Sequence, residues 1–134
     1  MYTLDPNYGT LVTVFNGVQL SQSFIDTGSN GYFFPDNAIP VCADANAFFC
    51  PTGPTSLSAQ FQGQNGATVS VGLTVTNADQ IPAADAVAPG LAGPAGSSTL
   101  QTFDWGLPFF FGRSVYVTFE GTTVNGNSGP AVAF

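Results

Sequence analysis

Short apolar runs rich in Val, Thr and Phe recur between Gly, Pro and Asn residues along the whole chain, and no segment has a sustained helical period. Runs of this length, bounded by turn-forming residues, are typical of β-strands. With 134 residues, of which 44% are hydrophobic, the chain fits one domain over residues 1–134 with a substantial core. The pattern predicts an all-β fold, with strands over residues 10–15, 18–25, 31–34, 56–62, 68–76 and 114–119.

Two Asn-Gly pairs predict hairpin turns between these strands. Asn16-Gly17 separates the first two predicted strands, and Asn65-Gly66 lies between the fourth and the fifth. The pair favours a tight turn because both residues adopt positive φ readily. By contrast, residues 35–54 contain four prolines and both cysteines and predict a long loop. The Ala-, Pro- and Gly-rich residues 81–98 predict an irregular connection.

The charged composition excludes several classes of function. The chain has no histidine, no lysine and a single arginine, Arg113. Serine and cysteine hydrolase sites need an imidazole or an amine near neutral pKa, so both are excluded. The same absences exclude histidine-ligated zinc and a phosphate-binding lysine, and a net charge of −7 argues against nucleic acid and anionic membranes. We therefore expect no metal, no cofactor, and no nucleic-acid or membrane partner.

Carboxylate chemistry remains, and one aspartate has a distinctive setting. In Phe24-Ile25-Asp26-Thr27-Gly28-Ser29, Asp26 ends an apolar strand and precedes small, turn-forming residues. Two facing carboxylates can share a proton and together activate a water for attack on an amide. The pattern supplies one such carboxylate. Most other acids lie among Pro, Asn, Ala and Gly and predict solvated loops, while Asp104, before Trp105-Gly106, is interpreted as a turn residue or a partner contact.

A late segment, Phe110-Phe111-Gly112, completes a pattern with Asp26. The two segments together resemble those of pepsin-like and retropepsin-like aspartic peptidases. Residues 23–35, 103–113 and 129–134 resemble the C-terminal lobe of an uncharacterised family of exported bacterial proteins in the pepsin-like group. The resemblance implies a single lobe of the acid protease barrel, in which Gly112 allows close backbone approach to the loop bearing Asp26.

The resemblance also implies roles for individual residues. Asp26 would be the catalytic carboxylate of an endopeptidase that cleaves a peptide or protein substrate with an activated water. Thr27 would brace the facing copy of the loop, Gly28 would form the tight turn and Ser29 would bond beside the carboxylate. Phe110, Phe111 and Gly112 would support the site. The second aspartate would come from a homodimer partner or from an N-terminal lobe outside this sequence.

Two other interpretations stay open at this point. The chain is alternatively a non-catalytic binding or structural module that keeps the lobe fold. A third interpretation is an unrelated secreted β-sandwich, in which residues 110–112 lie far from Asp26. The aromatic residues Trp105 and Phe109 are interpreted as core packing.

The two cysteines, Cys42 and Cys50, indicate the cellular compartment in which the protein is found. An even pair in a chain with only 7% charged residues predicts a disulfide in an oxidising environment, the alternative being two thiols in a cytosolic loop. The first residues contain no signal segment. We expect a periplasmic or secreted protein.

Overall fold

The structure, a computed structural model, describes residues 1–44, 47–82, 84–96 and 101–134. These residues form an all-β fold with short 3-10 helices at Ala78–Gln80 and Leu107–Phe110, and no α-helix occurs among them. The predicted all-β class is confirmed. In the described parts of the chain no helix has the length and apolar character needed to cross a membrane. The strands are β1 (Tyr2–Thr3), β2 (Leu11–Phe15), β3 (Val18–Ile25), β4 (Tyr32–Phe34), β5 (Thr55–Gln62), β6 (Thr68–Val75), β7 (Ala92–Pro94), β8 (Asp104–Trp105), β9 (Tyr116–Thr118), β10 (Thr123–Val124), β11 (Asn127–Ser128) and β12 (Ala131–Ala133).

Seven strands form one nearly closed, barrel-like sheet in the order β6-β5-β2-β3-β8-β4-β7. The half formed by β6, β5, β2 and β3 is antiparallel throughout. The other half is mixed, since β8 pairs parallel to β3 and antiparallel to β4, and β7 pairs parallel to β4. Strand β8 therefore lies between β3 and β4, the two strands that the Asp26 loop connects.

Backbone and side-chain hydrogen bonds hold β8 against β3. The Phe24 N–H donates to the Phe103 carbonyl at 3.2 Å, and the Asp26 N–H donates to the Trp105 carbonyl at 3.1 Å. The buried Ser23 hydroxyl accepts from the Phe103 N–H at 3.0 Å. These bonds fix the position of β8 relative to the end of β3, where the loop begins.

Gly106, directly after β8, brings the chain into contact with the backbone of the Asp26 loop. The Leu107 N–H donates to the Ser29 carbonyl at 2.8 Å. A Cβ atom added at Gly106 would overlap the carbonyl oxygen of Gly31 and lie 2.8 Å from that of Ser29. Only glycine lets two backbones approach this closely.

The prediction that Gly112 makes this close approach is wrong. A Cβ atom at Gly112 would meet no heavy atom within 4 Å, and the residue has a φ of +72°. Glycine at this position suits a left-handed turn after the second 3-10 helix. The segment that passes the loop is Asp104-Trp105-Gly106, because β8 and not residues 110–112 pairs with β3.

The core beneath the sheet is dominated by aromatic rings. Trp105 stacks on Phe103 with ring centroids 4.3 Å apart and meets Phe109 edge to face at 5.4 Å. Its indole N–H donates to the Thr13 hydroxyl at 3.0 Å, so the buried polar atom is satisfied. Trp105 and Phe109 are fully buried, which confirms their predicted place in the core.

A smaller sheet joins the two ends of the chain. It has the order β1-β12-β9, with β12 antiparallel to both neighbours, and β10 and β11 form a separate hairpin. Strand β9 and the residue after it expose large apolar side chains. Tyr116, Val117 and Phe119 are 67%, 62% and 79% exposed.

The predicted strands match the structure, whereas one turn and one connection differ. All six predicted strands are present, and Asn16 and Gly17 have φ values of 49° and 78°, as the tight turn requires. The second hairpin has a longer connection over residues 63–67, with only Gly66 of its Asn-Gly pair at positive φ. The stretch 81–98, predicted to be irregular, contains strand β7. Its Ala-Gly-Pro sequence forms a strand because it pairs with β4. Residues 83, 97 and 98 lie outside the described part of the chain.

The predicted long loop over residues 35–54 contains an isolated bridge between Val41 and Phe49 and, in its described residues, no named strand. Cys42 and Cys50 are joined by a disulfide. The Cys50 N–H donates to the Pro40 carbonyl at 2.7 Å, and Phe49 is fully buried. The disulfide-closed ring is thus anchored to the core by an aromatic side chain.

The close backbone approach at Gly106 gives the first testable prediction. Gly106→Ala places a methyl group against two carbonyl oxygens of the Asp26 loop, and one of them, that of Ser29, accepts the Leu107 N–H. We expect a loss of about 3 kcal/mol or more in the free energy of unfolding, measured by chemical denaturation. Gly72→Ala is the matched control, since a Cβ atom on this β6 residue meets nothing within 4 Å; its effect should stay within about 0.5 kcal/mol. Equal stability of the two variants would contradict the close approach.

Candidate active site

Asp26 is the first residue after β3, and its carboxyl group is held by the loop that follows. The Gly28 N–H donates to Asp26 Oδ1 at 2.7 Å, and the Ser29 hydroxyl oxygen lies 2.9 Å from Asp26 Oδ2. A Cβ atom at Gly28 would lie 3.0 Å from Asp26 Oδ1, so a small residue suits this turn. The half-buried Asp26 side chain is therefore fixed in orientation by its own loop.

A second carboxyl group reaches the same serine. Asp104, in β8, places its Oδ2 2.6 Å from the Ser29 hydroxyl oxygen. Asp104 is only 8% exposed, and its Oδ1 is buried without a hydrogen-bond partner. The interpretation of Asp104 as a turn residue or partner contact is wrong, because pairing of β8 between β3 and β4 buries it.

Burial is the main influence on the acidity of Asp104. Loss of solvation raises the pKa of the Asp104 carboxyl from 3.8 to about 6. A hydrogen bond donated by Ser29 to the ionised Asp104 lowers this pKa, and the charge of Asp26 raises it. The site thus combines a half-buried carboxyl group with a buried one whose pKa is raised above its usual value.

An apolar cavity of about 300 Å³ opens beside Asp26. Asp26 and the exposed Thr27 contribute its polar edge, and Phe110 lines its wall. The remaining lining residues are Leu4, Gly9, Ile25, Val117 and Val132. This cavity fits an apolar side chain placed next to a carboxyl group.

Phe111 and Arg113 line a different cavity, of about 460 Å³. The Arg113 guanidinium lies 4.6 Å from the centre of the Phe109 ring and donates to the Phe109 carbonyl. Burial raises the pKa of Tyr32 on the same cavity wall, and the Arg113 charge lowers it. Of the three predicted supporting residues at 110–112, only Phe110 shares a cavity with Asp26.

Potential metal ligands among the described residues gather away from this site. The sulfur atoms of Cys42 and Cys50 and a carboxylate oxygen of Asp79 lie within 4.8 Å of one another. Both sulfurs are bonded in the disulfide, so neither offers the thiolate that binds a metal.

The raised pKa of Asp104 predicts a stability that depends on pH. Between pH 3.8 and about 6 the unfolded chain loses the Asp104 proton while the folded chain keeps it. The unfolded state therefore binds fewer protons, and the free energy of unfolding falls as pH rises through this window, by about 3 kcal/mol from this residue. Asp104→Asn should remove that contribution, which denaturation at a series of pH values will measure.

Asp85→Asn, which removes an exposed carboxyl group, is the control for this experiment. It should keep the wild-type dependence on pH. If Asp104→Asn and the wild type lose stability in parallel as pH rises, Asp104 is not the buried acid described above.

Comparison with known proteins places the chain in a family. Its residues 1–134 match the model of the family described as Protein of unknown function (DUF3443). Neither a curated protein nor a solved structure matches the chain. Because the family model covers every residue of the sequence, the chain belongs to the DUF3443 family.

Proposed function

We propose that this chain forms one lobe of an aspartic endopeptidase in which Asp26 is a catalytic carboxylate. The observation that carries the proposal is the placement of Asp26 at the edge of an apolar cavity, with its two oxygens engaged by Gly28 and Ser29. A carboxyl group held in one orientation at the edge of a cavity can bind a water molecule there. The passage of Gly106 along the Asp26 loop supports the likeness to a pepsin-like lobe.

The proposed reaction needs two carboxyl groups that face one another across a water. The ionised one takes a proton as the water oxygen attacks the amide carbonyl carbon, and the protonated one donates to the carbonyl oxygen. The carboxyl group that took the proton from water then gives it to the amide nitrogen as the C–N bond breaks, and a hydroxyl group of the tetrahedral intermediate returns its proton to the other carboxylate. Asp104 does not serve as the facing group, since it is buried behind Ser29.

The facing carboxylate comes, in this proposal, from a second lobe. That lobe is another copy of the chain or a lobe outside this sequence. The exposed Tyr116, Val117 and Phe119 give β9 an apolar surface that supports association. In this proposal Thr27, which is exposed at the cavity edge, braces the loop of the second lobe.

The substrate class follows from the cavity beside Asp26. Its lining by Ile25, Phe110 and Val132 favours a peptide or protein segment with an apolar side chain next to the cleaved bond. The Cys42–Cys50 disulfide supports a periplasmic or secreted location, because disulfides persist in oxidising compartments.

A second candidate function is a non-catalytic binding module, and one observation favours it. The cavity that contains Arg113 is larger than the one beside Asp26, at about 460 Å³ against 300 Å³. Such a module would bind an acidic peptide near Arg113 and leave it uncleaved. Cleavage therefore separates the two candidates.

The catalytic proposal predicts acid-range cleavage that depends on Asp26. An unstructured protein substrate should be cut by the wild type, and Asp26→Asn should lower the rate by about 10²- to 10⁴-fold, because the variant loses a proton-transferring group. If the second lobe is another copy, the rate per chain should rise with protein concentration in step with the dimer fraction, measured by analytical ultracentrifugation.

Asp85→Asn removes a carboxyl group from an exposed position and should cleave at the wild-type rate. Cleavage that survives in Asp26→Asn would remove Asp26 from the mechanism. Binding of peptide by a stable dimer, with no cleavage at any pH, would favour the non-catalytic module.

A further inference from the structure

One hydroxyl group in this protein contacts two carboxyl groups. The Ser29 hydroxyl oxygen lies 2.9 Å from Asp26 Oδ2 and 2.6 Å from Asp104 Oδ2. A serine hydroxyl has one proton to donate, and an ionised carboxylate only accepts. Both contacts are hydrogen bonds only if one carboxyl group carries a proton and donates it to the serine oxygen.

The surroundings of the two carboxyl groups decide which one is protonated. Asp26 is half-buried, and its Oδ1 already accepts from the Gly28 N–H. Asp104 is 8% exposed and its Oδ1 has no partner. A buried charge with an unpaired oxygen is costly, whereas the same atom in a neutral carboxylic acid costs less. The proton therefore belongs on Oδ2 of Asp104.

We propose that Asp104, Ser29 and Asp26 form a proton-sharing chain within one lobe, in which Asp104 donates to Ser29 and Ser29 donates to Asp26. Asp104 is then a positioning residue that directs the serine proton toward Asp26. This inference rests on the proposed function only for the catalytic role of Asp26. The proton-sharing chain itself follows from the three side chains and their distances.

The same arrangement supplies Asp26 with a proton from inside the lobe. The Oδ2–H bond of Asp104 breaks as an O–H bond forms at the Ser29 oxygen, and the original serine O–H bond breaks as one forms at Asp26 Oδ2. The net result moves one proton from Asp104 to Asp26, and the proton returns by the same path because the ionised, buried Asp104 is the costlier state. No other reactant is required.

Few other titratable groups face the proton-sharing chain of Asp104, Ser29 and Asp26. Strand β3 contributes none, and the second 3-10 helix, after β8, contributes none. Strand β4 contributes Tyr32, whose ring packs against Trp105 with centroids 6.0 Å apart. Burial raises the pKa of Tyr32, so its hydroxyl stays neutral in the pH range where Asp104 titrates. The charge that acts on Asp104 is that of Asp26.

Carboxyl-carbon NMR titration of the intact chain tests the proposal without substrate. In the wild type the Asp104 signal should titrate near pH 6, and the Asp26 signal should show an inflection at the same midpoint. Asp26→Asn should move the Asp104 midpoint to lower pH, because the charge that raises its pKa is gone. Ser29→Ala should greatly reduce the shared inflection of the Asp26 signal, while Ser58→Ala, at an exposed serine of β5, should preserve it.

Asp104→Asn is the second variant, for the case that Ser29→Ala does not fold. Its amide donates to the serine at every pH, so the Asp26 inflection near pH 6 should disappear. An Asp104 midpoint near 3.8, or a shared inflection that persists in both Ser29→Ala and Asp104→Asn, would overturn the proposal. If the Asp26 and Asp104 signals share no inflection but the protein cleaves its substrate, only the proton-sharing chain is rejected. If the shared inflection is present but the protein cleaves nothing, only the peptidase proposal is rejected.

Discussion

The hydrogen bond from the Asp26 N–H to the Trp105 carbonyl joins the end of β3 to the end of β8, and the site depends on this junction. Strand β8 is only two residues long, so its position is set by its neighbours β3 and β4 on either side. Its insertion buries Trp105 in the aromatic core, buries Asp104 beneath the loop and brings Gly106 against the loop backbone. A single pairing thus assembles the core, the second carboxyl group and the turn around Asp26.

The sequence predicted the strands whose signal is local. Strand β2 alternates buried and half-buried residues over Leu-Val-Thr-Val-Phe, and the Asn16-Gly17 turn fixes its pairing with β3. Strand β7 has no such signal. Its Ala-Gly-Pro sequence forms a strand because β4 offers a parallel partner, which no local pattern encodes.

Only part of the candidate site was predicted, again because the sequence reveals local patterns and not the pairing of distant strands. Asp26 and the turn formed by Gly28 and Ser29 follow from contiguous residues. Gly106 and Gly112 both follow aromatic residues, and the local pattern alone does not distinguish them; only the pairing of β8 with β3 does. Asp104 was missed because acids beside Trp-Gly usually mark turns, and because the alternation Phe103-Asp104-Trp105 predicts at most a strand buried on one face; the pairing of β8 between β3 and β4 buries the other face.

The proposed proton-sharing chain assigns a position to each proton of the site. Neutron diffraction from deuterated crystals, grown at a pH between 3.8 and 6, locates them directly. We expect one deuterium on Asp104 Oδ2 that points at the Ser29 oxygen, with the serine deuterium directed at Asp26 Oδ2. A serine deuterium directed at an unprotonated Asp104 would contradict the proton-sharing chain.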